Sequence, residues 1–177
     1  MIEVNFLNLL KDKCFGPIKI GDSKEFVIQT LGQPDYISNP DFNPEYYDAL
    51  LYDKFEFNFR QDYLVSISNA HILNCSSSWR FNRKFHYQNN NFKVISWLKR
   101  PWIDTQLKNF KKKLDQEEIV YSESIFYDCI KLNIGKDLEL LFSSNLSYHK
   151  DPAEWTKIDS KILNFRLCNF HLILGQV

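Results

Sequence analysis

The sequence has 177 residues, 44% hydrophobic and 25% charged, values of an ordinary globular chain that exclude wholesale disorder. Lys+Arg and Asp+Glu both number 22, so the net charge is zero, which argues against a dedicated nucleic-acid binder with a strongly basic surface. Aromatic residues reach 16%, with 15 Phe against five Gly and one Met, a composition that favours sheet. The length fits one domain or two small ones packed together, with enough core to need no disulfide or metal.

Val4, Phe6, Leu7, Leu9 and Leu10 give residues 4–13 a helical apolar pattern, stopped by Phe15-Gly16-Pro17 because proline cannot continue the ladder. Ile18 and Ile20 around Lys19 suit a short extended piece. Asp22 with Glu25 reads as a capping box opening a helix over 23–31, with Phe26, Val27, Thr30 and Leu31 as its buried face. Gly32 is expected to turn left-handed at its end, and Pro34 blocks continuation. A polar loop with Pro40 and Pro44 follows over 35–47.

Three strands are expected next: Ala49–Tyr52, then Phe55, Phe57 and Phe59 alternating with Glu56 and Asn58, then Tyr63–Ser68. The short connections predict an antiparallel meander with one apolar and one polar face. Residues 74–91 read as a break, with an inner strand from Trp79 to Tyr87. Pro101–Leu114 reads as a helix, with Asp104 or Thr105 near its start and Ile103, Leu107, Phe110 and Leu114 at helical spacing. Further strands are expected at Glu118–Glu123, Tyr127–Ile134, Leu138–Ser143 and within Ile162–Leu174.

The second half looks like a repeat of the first. Tyr127–Ile134 matches Tyr52–Phe59 in Tyr, Asp and Asn and in apolar phase, 75 residues apart (Tyr52 to Tyr127). The helices match at an offset near 82 (Asp22 to Asp104). The expected fold is therefore α+β: two tandem helix-plus-antiparallel-meander units, residues 1–90 and 91–177, forming one sheet with helices on one face.

The N-terminal stretch has no basic n-region or small-residue cleavage site, and no apolar run approaches the ~20 residues of a membrane span. Cytoplasmic location, free thiols and no membrane partner are the expectations. Cys14, Cys75, Cys129 and Cys168 are far apart, as are His71, His86, His149 and His171, so no metal-ligand spacing is present. No Gly-x-Ser-x-Gly, Walker, His-Glu-x-x-His or dinucleotide-binding motif occurs. Cys75 with His71, or His149 with Asp151, are generic pairings. No enzyme, catalytic residue or cofactor is expected.

Charge is unevenly spread. Asp35, Asp41, Glu45, Asp48, Asp53, Glu56 and Asp62 face only Lys54 and Arg60 within 35–62, and Tyr36, Phe42, Tyr46 and Tyr47 are interleaved. Carboxylates steer a basic partner and aromatics supply buried anchor area. Asp35, Asp41, Phe42, Glu45, Tyr46, Tyr47, Asp48 and Asp53 are thus the candidate partner-binding residues. The same acids also suit a solvated loop. Arg80, Arg83 and Lys84 among Trp79, Phe81, Phe85 and Tyr87 suit single-stranded nucleic acid or a cation-guarded edge strand. Lys108, Lys111 and Lys112 form a solvated helix face.

The run Gly21-Asp22-Ser23-Lys24-Glu25-Phe26-Val27-Ile28-Gln29-Thr30-Leu31-Gly32-Gln33-Pro34-Asp35, followed by Leu51-Tyr52-Asp53-Lys54-Phe55-Glu56-Phe57-Asn58-Phe59, resembles the small immunity proteins encoded beside bacterial polymorphic toxins, including those of contact-dependent growth inhibition systems. The unit is also similar to the repeat of β-lactamase inhibitor proteins. The resemblance covers about residues 15–68 and reaches the second half only through the internal repeat. It implies a cytoplasmic binding protein that neutralises a cognate toxin domain as a 1:1 complex, without direct nucleic-acid contact. It carries over no catalytic residue, because the motif positions serve as cap, turn and core. The rival readings are an adaptor or inhibitor unrelated to toxins and a nucleic-acid-binding protein.

Overall fold

The computed structural model describes residues 1–38, 48–53, 55–69, 87–126, 129–143 and 166–173. The chain opens with strand β1 (Ile2–Asn5), helix α1 (Phe6–Asp12), the short strands β2 (Cys14–Phe15) and β3 (Ile18–Lys19), and helix α2 (Lys24–Leu31). Strands β4 (Tyr36–Ser38), β5 (Asp48–Tyr52), β6 (Phe55–Arg60) and β7 (Tyr63–Ser68) follow. After β8 (Tyr87–Gln88) and β9 (Phe92–Ile95) come helices α3 (Pro101–Asp104) and α4 (Leu107–Gln116). The remaining strands are β10 (Ser122–Phe126), β11 (Cys129–Ile134), β12 (Leu138–Ser143) and β13 (Arg166–Ile173).

The fold is α+β. Its main element is an eight-stranded antiparallel sheet in the order β10-β11-β12-β13-β7-β6-β5-β4. A three-stranded sheet, β1-β9-β8, and the β2-β3 hairpin complete the strands. The pairing of β1 with β9 is parallel, with Ile2 opposite Phe92 and Val4 opposite Val94.

Period-two alternation decides which side of the main sheet is dry. Leu50, Phe57, Ile67, Leu172, Leu138 and Ile134 stand opposite one another across six strands, and all are buried. Onto this face α1 brings Phe6, 5.8 Å from the Phe170 ring, and α4 brings Phe110, 5.3 Å from Phe142. Phe15 of β2 meets Phe57 edge-on at 5.3 Å and Phe92 at 5.0 Å. The result is one continuous hydrophobic core fed by both sheets and by α1, α2 and α4.

Several boundaries differ from the sequence expectation, each for a local reason. Residues 4–5 belong to β1, and the helix starts only at Phe6, where the Asn5 side chain accepts the Leu7 N–H at 2.9 Å. It ends at Lys13, whose φ of +57° closes it before the glycine-proline stop. Ser23, rather than Asp22, caps α2 by accepting the Phe26 N–H at 3.1 Å, while Asp22 accepts the Lys19 N–H at 2.7 Å. Gly32 does take positive φ, +84°, as expected, but with an extended ψ of −168°.

The helix expected over 101–114 is broken at Thr105 and Gln106. Asp104 turns its carboxylate back to the Arg100 N–H at 2.8 Å, and the Thr105 carbonyl accepts the Leu167 N–H of β13 at 3.0 Å. A carbonyl spent on a strand cannot continue a helical ladder. Glu118, with φ +57°, sits in a turn, so β10 begins at Ser122 rather than at 118. β11 begins at Cys129 and β13 spans Arg166–Ile173, both inside the expected stretches, while β12 coincides with its expectation. The strand expected from Trp79 lies outside the described residues, apart from Tyr87 in β8.

Candidate protein-interaction surface

Among the candidate residues, Asp35, Asp48 and Asp53 are described; Asp41, Phe42, Glu45, Tyr46 and Tyr47 lie outside the described residues. Asp35 and Asp53 meet at one end of β5, where an Asp35 carboxylate oxygen accepts the Asp53 N–H at 2.6 Å and closes a turn in which Asp53 holds φ +54°. Beside them the Tyr52 hydroxyl donates to the Gly32 carbonyl at 2.8 Å. Burial, helped by the nearby Asp35 charge, pushes that phenol up to about 12. Asp48 stands at the other end of β5, ~13 Å along the strand, and pairs with Lys24 of α2 at 3.1 Å. Among the described candidate acids, Asp35 and Asp53 thus lie at one end of β5 and Asp48 at the other.

The Asp48 end is the richer surface. The stretch Gly21–Lys24 runs beside Asp62–Leu64, held by Gly21 N–H to Leu64 O at 2.7 Å, Leu64 N–H to Asp22 O at 2.8 Å and Lys24 N–H to Asp62 O at 2.8 Å. These backbone bonds fasten the start of α2 to the β6–β7 turn, whose central residues Gln61 and Asp62 both have positive φ, as a tight right-twisting hairpin requires. The pairing sets Asp22 beside Asp62 along the backbone, Lys24 carries its ammonium to Asp48, and Lys19 lies against Asp22 through its N–H. Two aromatic rings stand out of these segments. Tyr63 is 60% exposed and Phe26 is 41% exposed.

Phe26 corrects the sequence reading, which had placed it on the buried face of α2. Val27 and Leu31, four residues apart, are its buried side chains, and Ile28 packs partly buried against the core. Rings left partly in water beside carboxylates suit a partner that brings apolar area and positive charge. The sequence signal for this site was weak, because Asp22 and Asp62 are distant in the chain and meet only through the backbone pairing.

The sheet face turned away from the core carries a polar row in which Glu56, Ser68, His171, Glu139 and Asn133 are successive cross-strand neighbours. Glu139 pairs with Lys131 at 2.8 Å. Burial holds the His171 imidazole below its ordinary range, against the upward pull of Glu139 and with Lys131 adding to the lowering.

Among the described residues no group of three or more His, Cys, Asp or Glu could hold a metal ion. Cys14 is a free thiol. Cys14 lines a polar cleft of about 640 Å³ with Asn8, Asp12 and Lys19. Its S–H donates to the Asp12 carbonyl at 3.1 Å, and burial pushes its pKa up, which leaves the thiol protonated rather than activated. His71, Cys75, His149 and Asp151 lie outside the described residues, as do Arg80, Arg83 and Lys84. On α4, Lys108 and Lys112 are exposed and Lys111 pairs with Glu123 at 2.6 Å. No helix among the described residues is long and apolar enough to cross a membrane.

Compared with protein-family models, with curated proteins and with solved structures, the chain matches none.

Proposed function

We propose that this chain is an immunity protein, which binds a cognate toxin domain in the cytoplasm of the producing cell and neutralises it by contact, without catalysis of its own. The observation that carries the reading is the pair of exposed rings, Phe26 and Tyr63, on two backbone-joined segments that also carry Asp22, Glu25 and Asp62, with Asp48 paired to Lys24. Negative charge speeds encounter with a basic toxin surface, and the rings supply anchors to bury once contact is made. The resemblance of Gly21–Asp35 and Leu51–Phe59 to immunity proteins supports the same reading.

The finer architecture belongs to this proposal. α2 is followed by β4–β7, and α4 by β10–β13, with β7 and β13 meeting at the middle of the sheet. The step from Lys24 to Leu107, which open the two helices, is 83 residues, and so is the step from Phe55 to Leu138, which open β6 and β12. On this spacing Phe55, Phe57 and Phe59 correspond to Leu138, Leu140 and Phe142, all buried. The chain is thus read as two tandem helix-plus-meander units. The 75-residue likeness sets β6 against β11, the third strand of one run against the second of the other, and does not follow the repeat.

The test is co-expression with the C-terminal toxin domain encoded directly upstream, with a tag on one partner only. A 1:1 complex and rescue of cells from that domain support immunity. Asp62→Lys and Tyr63→Ala should each weaken the complex at least tenfold. Absence of both complex and rescue overturns the reading.

A further inference from the structure

We propose that the cleft formed by α1 and the β2–β3 hairpin binds a free α-amino acid, with its ammonium on Asp12 and its carboxylate on Lys19. The inference does not rest on the immunity reading and uses a different part of the chain. The cleft holds about 640 Å³, within the range of about 300–1,000 Å³ of ordinary small-molecule sites. All its lining residues fall between Glu3 and Lys19. Asn8 and Asp12, four residues apart, bring one face of α1 to it, and Cys14 and Lys19 are cross-strand partners in the hairpin.

The neighbouring charges are already engaged. Lys11 pairs with Glu117 at 2.8 Å, and Lys93 holds Glu3 at 2.5 Å. The Lys13 ammonium donates to the Leu10 carbonyl, and Asp22 accepts the Lys19 N–H at 2.7 Å. Among the described residues, the Asp12 carboxylate and the Lys19 ammonium form no ion pair with each other or with any third group. Both still act on one point. At the Cys14 thiol, burial raises the pKa most, the Lys19 charge opposes it and the Asp12 charge adds to it. The cleft thus presents a negative and a positive group, both close to one thiol and not joined to each other.

Charge selects the ligand. An anion alone would be repelled by Asp12, and a cation alone by Lys19. A molecule with an ammonium and a carboxylate on one carbon answers both, and each contact is a charge-assisted hydrogen bond. No aromatic ring is among the lining residues, so nothing there stacks a nucleobase. Asn5 spends its Oδ1 on the Leu7 N–H at 2.9 Å and keeps its Nδ2 as a donor. Asn8 offers both a donor and an acceptor. These amides suit an amino acid with a polar side chain.

The experiment titrates the full chain, labelled with ¹⁵N, with L-glutamine, L-asparagine and L-serine in separate runs and follows the backbone amide shifts. At least one should bind saturably at millimolar concentration, with shifts centred on Asn8, Asp12, Cys14 and Lys19. Asp12→Asn and Lys19→Gln lie at exposed positions and should leave the melting temperature close to that of the parent. Each should weaken binding about tenfold or more, the loss of one charge-assisted contact. On the parent chain, the N-acetylated and the C-amidated forms of the same amino acid, which lack one charge each, should lose affinity to a similar extent. A flat titration with all three amino acids overturns the proposal, as does equal binding of either blocked form. A cleft reserved for side chains of another protein would give the flat titration.

Discussion

The Tyr52 hydroxyl donates to the Gly32 carbonyl at 2.8 Å, so the end of α2 is tied to strand β5 through one buried phenol. Gly32 has a second tie on its other side, since the Asn91 side chain donates to Leu31 O at 2.6 Å and lies 3.1 Å from where a Gly32 Cβ would stand. The junction of α2, β5 and β9 is therefore closed by polar bonds as well as by packing.

Tyr52→Phe should lower stability by about 1 kcal/mol, the net value of one such hydrogen bond. Its pH dependence is more telling. The folded phenol titrates near 12 against an ordinary 10, so the folded state prefers the protonated form. That contribution is present below pH 10 and is lost as pH rises from 10 toward 12. Melting temperature measured across this range should fall more steeply for the parent than for Tyr52→Phe.

His171 gives the opposite limb. Burial lowers its pKa from 6.5, with Lys131 adding to the lowering and Glu139 opposing it, and Ser68 and Glu56 complete its row. The folded state favours neutral imidazole, so its stability is intact above pH 6.5 and declines as pH falls below that value. His171→Gln should flatten the acid limb between pH 6.5 and 5 in thermal melts. An unchanged slope would mean that His171 does not govern it.

Three ring deletions should separate folding from binding. Phe15 touches the rings of Phe55, Phe57 and Phe92 within 5.5 Å, and Phe15→Ala should cost about 3–5 kcal/mol in denaturant unfolding. Phe26→Ala and Tyr63→Ala remove exposed rings and should stay within about 0.5 kcal/mol of the parent. Their effect should be seen in complex formation instead.

Asp104 is 1% exposed and accepts the Arg100 N–H at 2.8 Å, while the Arg100 guanidinium that approaches it at 3.4 Å is exposed. Asp104→Ala removes this charge-assisted acceptor from a buried position and should cost about 1.5–3 kcal/mol. Arg100→Ala removes only a solvent-screened charge and should cost less than about 1 kcal/mol. Equal losses in urea unfolding would reverse this ordering.

The strands of the main sheet were legible where one side chain in two is apolar and that side is fully covered. Phe55, Phe57 and Phe59, or Leu138, Leu140 and Phe142, satisfy this condition. β1 was not legible, because Ile2 and Val4 merge into the apolar spacing of Phe6, Leu9 and Leu10, and its partner β9 is remote in sequence. The break in the second helix depends on a carbonyl given to β13, a tertiary cause that no helical pattern reports. For the candidate surface, the sequence pointed to acids mixed with aromatics, yet Phe26 looked like a core residue. Tyr63 was recognised as strand but carried no sign of exposure. Only the backbone pairing of Gly21–Lys24 with Asp62–Leu64 puts them together.

The place of β13 in the sheet sets a timetable. It is the last strand made among those described, yet it sits between β12 and β7, which it joins through His171–Ser68, Leu172–Ile67 and Ile173–Ser66. Until residues 166–173 clear the ribosome, β7 and β12 each lack this neighbour, and the two halves of the sheet lack the strand that joins them. A ribosome stalled short of this segment would hold a nascent chain with two sticky inner edges, the form most in need of a chaperone.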